Sequence, residues 1–303
     1  MVSPFGMNNR RSYDVKKKTK IWVGIGAFVM VGSGGITLAS VPGQAALLET
    51  SPPASASARH DLMASTANII VAQSQGGEGE GGEGGEGGEA GINVETVDKD
   101  PVEYNVALQV IAAHYYAGFA AYEAKDMEAG AQMFAHGLSE VYLVMDDVFK
   151  RRGVTALGKE LEAAVDAAAA KKPVKDVGKL VQAVLRELQV AQSKGPTSTM
   201  TPVAVRARVV ANLLERAAAQ YQASLNDKTL EPYLDGLGFS TAAKIESEKL
   251  LPALRKSDKK AAVAIESALK FAKAAYPGIE RPKKKVEPGK FLAAASSAQL
   301  AVQ

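Results

Sequence analysis

Cysteine does not occur among the 303 residues. Its absence excludes disulfides, thiolate metal sites, iron–sulfur clusters, a cysteine nucleophile and haem attached through Cys-x-x-Cys-His. Aromatic residues amount to 6% of the chain, with a single Trp, so any core must be built largely from aliphatic side chains. No segment alternates polar and apolar residues as a half-buried strand does. The nucleophile elbow, the Walker loop, His-Glu-x-x-His and the dinucleotide fingerprint are all missing, which argues against an enzyme. A basic surplus is missing too. Residues 1–45 hold six of the 36 Lys/Arg and one of the 33 Asp/Glu, which leaves 30 basic and 32 acidic residues in the remainder. A net charge of about −2 offers no basic face for nucleic acid.

The chain divides by composition. Residues 1–45 set a basic run, Arg10 to Lys20, before an uncharged stretch, Ile21 to Ser40, and the small-x-small triplet Gly43-Gln44-Ala45. This is the layout of a signal peptide; an uncleaved N-terminal membrane anchor is the alternative. Either way the rest of the protein is expected outside the cytoplasm, in the periplasm or anchored to the inner membrane. Residues 46–100 read as a disordered, low-complexity acidic linker. They include Gly76 to Gly91, in which five glutamates are interspersed with glycine; glycine is costly to order and like charges repel. Residues 101–276 form the foldable part. There apolar residues recur at three- and four-residue spacing and Pro173, Gly195-Pro196 and Pro277 punctuate. The pattern predicts helices over 101–124, 127–151, 155–171, 174–193, 201–226, 239–256 and 258–275. Short connections make neighbouring helices antiparallel, so the fold class is an all-α, up-and-down helical bundle. Residues 277–303, with Arg281, Lys283, Lys284, Lys285 and Lys290, read as a basic flexible tail.

Of three histidines, His114 and His136 fall in the foldable part. A turn at Lys125-Asp126 lies about eleven residues after His114 and ten before His136. At about 1.5 Å per residue, an antiparallel hairpin brings the two to one height. Glu140 follows His136 by one turn and shares its face. His114 lies among Ala107, Val110, Ile111, Gly118 and Ala121, and so points into the core, with Gly118 leaving space beside the ring. His136 shares its stripe with Ala129, Met133, Leu143 and Val144. Two imidazoles and a carboxylate are a ligand set that zinc, iron or copper accepts. The same residues can instead form a buried structural ion pair, or offer an axial haem ligand. A later acidic cluster, Asp227, Glu231 and Asp235 around Tyr233, either caps the following helix or supplies Glu231 and Asp235 to complete the coordination. Tyr115, Tyr116, Tyr122 and Tyr142 crowd the same hairpin and read as packing.

The run from His114 through Gly118 and Tyr122 to His136, Glu140 and Tyr142, followed by Tyr233-x-Asp235-x-x-Gly238-Phe239, resembles the imelysin-like, EfeO-type exported helical-bundle proteins of iron uptake. The family signature is Gly-x-His-x-x-Glu; here His136 and Glu140 match it in residue type, with one residue more between them. The resemblance implies capture of iron or another transition-metal ion outside the inner membrane, beside a periplasmic or inner-membrane transport partner. The alternative is a membrane-tethered structural or interaction module that touches the membrane only through an uncleaved N-terminal segment.

Overall fold

The computed structural model describes residues 92–303. The leader at 1–45 and most of the linker at 46–100 therefore lie outside the described residues. The described part is all-α, and no strand occurs among its residues. After a single turn, α1 (Val94–Val97), come α2 (Pro101–Glu123) and α3 (Met127–His136). A π-helical stretch, Gly137–Tyr142, carries α3 directly into α4 (Leu143–Arg151). Then follow α5 (Leu157–Ala169), α6 (Val174–Ser193), α7 (Pro202–Asn226), α8 (Glu231–Ser257), α9 (Lys259–Ala275) and α10 (Pro288–Ala301).

Helix starts follow local chemistry. Asp100 accepts hydrogen bonds from the Val102 and Glu103 amides with Pro101 at the first helical position. Thr201 does the same for Ala204 ahead of α7. Each side-chain cap satisfies an amide that the helix leaves without an internal partner. The α2–α3 turn closes where expected: Lys125 adopts φ +74° and Asp126 caps α3 through the Ala129 amide. Gly153, with φ +69°, ends α4 in the left-handed conformation that glycine takes without a Cβ penalty.

Antiparallel packing is legible in the contacts. A Cβ at Gly118 would meet the Phe134 ring at 2.8 Å, and one at Gly137 would meet the Tyr115 ring at 3.1 Å. Position numbers that rise on α2 thus fall on α3. Helix α2 packs on α3, α6, α7 and α8, and so runs through the middle of the bundle. Its buried side includes Tyr104, Leu108, Ile111, Tyr115 and Tyr122.

Three expectations need correcting. The last linker residues dock on the bundle: Ile92 and Val97 are buried, and Asp98 pairs with Arg151 at 3.0 Å and Arg152 at 2.9 Å. Helix α8 begins at Glu231, eight residues before the expected 239, so Glu231 and Asp235 stand within a helix. Residues 277–303 are no flexible tail in structure, because α10 packs on α7 and α9 and buries Phe291, Ala295 and Ala298. The basic run 281–285 hides this from composition. The amphipathic spacing of those three buried residues is the physical reason the segment folds back.

Candidate metal centre

Three helices bring five side chains to one place. His114 comes from the middle of α2, His136 from the end of α3, and Glu140 from the π-helical stretch. Glu231 and Asp235 stand one turn apart in the first turns of α8. His114 Nε2 lies 3.6 Å from Asp235 Oδ1 and 4.0 Å from Glu140 Oε2. His136 Nδ1 lies 3.6 Å from Glu140 Oε1 and 3.6 Å from Glu231 Oε1. Ligand atoms of His114, His136 and Glu140 all fall within 4.8 Å of one another. The rings meet edge to face with centroids 6.2 Å apart.

Close backbone approach makes this convergence possible. Gly137 sits against His114, where a Cβ would stand 3.3 Å from the His114 Cβ. At Gly238 an added Cβ would collide with the Ala113 carbonyl, so α8 passes its backbone directly over α2 next to His114. Gly118, read from sequence as leaving room for a ligand, does something else. The Phe134 ring and the Gly130 carbonyl fill the space above it. The π-helical stretch falls at the site itself; its i→i+5 bonding is rare and frequently found where function requires it.

The imidazole of His114 has a defined tautomer. Its Nδ1 donates to the Val110 carbonyl at 2.8 Å, so in the neutral ring Nε2 is the bare nitrogen facing the carboxylates. Burial pulls its pKa down to about 4, more than the Val110 bond raises it, and the nearby charges of His136 and Arg216 lower it further. The 3.6 and 4.0 Å approaches are ion pairs only when Nε2 is protonated, and burial keeps His114 neutral near pH 7.

Exposure grades across the site. His114 is 5% exposed, Asp235 16%, His136 17%, Glu140 22% and Glu231 43%. Glu231 therefore marks the mouth, where the Gln132 amide donates to its Oε2 at 3.3 Å. Phe239 packs edge-on to the His114 ring at 6.4 Å, and the Arg216 guanidinium lies over Phe239 at 6.0 Å. Sequence reading missed Gln132 and Arg216, and quoted Phe239 only within the run that carries the resemblance. Gln132 stands one turn before His136, a spacing that Arg216 lacks.

The remaining expected residues serve structure. Tyr115 and Tyr122 donate to the carbonyls of Leu161 and Lys172, and Tyr142 donates to Asp146. Tyr233 donates to the carbonyls of Gly278 and Glu280. Asp227 binds the Thr229 amide and hydroxyl, shaping the α7–α8 turn away from the histidines. Leu143 and Val144, on the His136 stripe, are exposed, so that stripe leaves the core past Glu140. No described helix is long and apolar enough to cross a membrane. No family model, curated protein or solved structure matches the chain.

Proposed function

We propose that the protein binds a transition-metal ion, iron foremost with copper and zinc as alternatives, between α2, the π-helical stretch and α8. His114 Nε2, His136 Nδ1 and Glu140 are the central ligands, and Glu231 and Asp235 complete the shell. One observation carries the reading: ligand atoms of His114, His136 and Glu140 all lie within 4.8 Å of one another, with His114 buried. A cation between these atoms coordinates imidazole nitrogen and carboxylate oxygen at once. The spacing suits this. An ion with bonds of about 2.1 Å spans 3.6 Å between ligand atoms at an angle near about 120°. The Val110 bond on Nδ1 is the kind of outer contact that orients a ligating histidine.

The protein acts outside the cytoplasm, as an accessory to metal uptake beside a membrane transport partner. The basic and apolar order of residues 1–45 and the imelysin-like resemblance support that part of the reading. A membrane-tethered interaction module remains the competing function. In it the His136–Glu140 contact at 3.6 Å is a structural ion pair.

Thermal unfolding of the chelated protein with Fe²⁺, Cu²⁺ or Zn²⁺ added singly separates the two. A native-state ligand at a hundred times its Kd stabilises by about 2.7 kcal/mol. The midpoint is expected to rise with one of these ions and not to rise in His114→Ala/His136→Ala. A midpoint indifferent to all three favours the interaction module.

A further inference from the structure

Residues 276–287, between α9 and α10, cross the end of α7 and the start of α8 as a strap. Arg281 pins it by donating to the carbonyls of Ser224 and Thr229, and the Val286 amide donates to the Tyr221 hydroxyl at 2.9 Å. Beneath the strap lies a cavity of about 60 Å³, walled by Tyr221, Ser224, Tyr233, Arg281, Pro282 and Lys285. A single water needs about 10–15 Å³ of such space, so the cavity holds about four water-sized groups. Arg281 and Lys285 are exposed, which leaves it open to solvent on their side.

The lining calls for an anion. Tyr221 is 1% exposed and its oxygen accepts from Val286, yet among the described residues nothing accepts its proton. A buried O–H left without an acceptor is costly, and an acceptor in the cavity removes that cost. Lys283, Lys284 and Lys285 stand in no ion pair among the described residues, and Arg281 is met by carbonyls and the Tyr233 ring. The acids of this end are engaged elsewhere. Asp227 holds the Thr229 amide and hydroxyl, Glu231 accepts from Gln132, Asp235 faces His114, and Glu287 pairs with Lys290 at 2.7 Å. That leaves exposed Glu280 against four cations.

We infer that this cavity binds a tetrahedral oxyanion of the phosphate class, with the Tyr221 O–H and the Lys285 ammonium as donors. Four oxygens about one central atom match the room available. The negative end of α7 does not oppose the anion, because Arg281 covers the Ser224 carbonyl. The phosphate is a free ion or the headgroup of an anionic lipid, and the exposed lysines of the strap suit both.

The test uses the whole protein with chelator present, so that the histidine centre cannot hold phosphate through a metal. Thermal unfolding is followed in phosphate and in chloride at equal ionic strength. Sedimentation is followed with vesicles of phosphatidylcholine, alone or mixed with phosphatidylglycerol. A higher midpoint in phosphate supports a free ion as ligand; binding to the mixed vesicles alone supports a headgroup. Lys285→Gln is expected to weaken whichever binding occurs about tenfold, the loss of one charge-assisted hydrogen bond. Lys283→Gln, on the strap but outside the cavity lining, is expected to change it by less than about twofold. Both positions are exposed, so neither variant threatens the fold. Equal losses in the two variants mark diffuse attraction to a basic strap and overturn the site. Unchanged binding in Lys285→Gln, or wild-type protein that binds neither probe, overturns it as well.

Discussion

His114 concentrates the chemistry of the site in one side chain. Burial lowers its pKa to about 4 from the ordinary histidine value, so the metal-free fold holds fewer protons there than the unfolded chain. Stability fully present above about pH 6.5 is therefore lost as pH falls toward about 4, by roughly 3 kcal/mol in all. Urea unfolding of chelated protein at pH 7 and pH 4.5 reads this loss, and His114→Leu is expected to reduce it. Metal protects against the same loss only while Nε2 is deprotonated. Binding through His114 is accordingly expected to hold between pH 7 and 5.5 and to weaken as pH falls toward about 4, and titrations at pH 7, 5.5 and 4.5 check it. Residue types and spacing made His114, His136 and Glu140 legible, because a hairpin turn at Lys125 fixes their relative height. Arg216, Phe239 and Gln132 were not legible as site neighbours, since two of them come from helices whose facing only tertiary packing decides.

At the scale of elements, the site exists because α2, the π-helical stretch and α8 pass unusually close. Gly238→Ala sets a methyl group against the Ala113 backbone, which no rotamer change relieves. A loss of about 3 kcal/mol in urea unfolding, near the upper end for overpacking, is expected, together with weaker metal binding. Gly137→Ala meets the Tyr115 ring instead, a side chain with some freedom, and is expected to cost about 1 kcal/mol. Proline and glycine punctuation placed most helix ends within two residues. It failed at α8, which was expected to begin at 239 and instead takes in Pro232, Gly236 and Gly238. Proline in fact stands in the first turn, where its missing amide costs nothing. The glycines are there for contact with α2 and Tyr276.

For the whole molecule, the bundle closes only with its last helix. Phe291 is fully buried against Tyr221 and Phe271, and the Val286 amide donates to the Tyr221 hydroxyl at 2.9 Å. Phe291→Ala is expected to cost about 3–5 kcal/mol in urea unfolding, and an unchanged midpoint would show that α10 does not pack as described. The same strap holds the start of α8: Arg281 donates to the carbonyls of Ser224 and Thr229 and lies over Tyr233, between Glu231 and Asp235 in sequence. Charge and composition at 281–290 concealed this helix, whereas the spacing of Phe291, Ala295 and Ala298 disclosed it to a reader willing to look past the lysines.

Metal content after exhaustive dialysis tests the central claim most directly. Whole protein equilibrated with Fe²⁺ under argon, or with Zn²⁺, is expected to retain one ion per chain, and His114→Ala/His136→Ala none. Equal retention by the two proteins, or no ion in either, contradicts a centre built on those histidines.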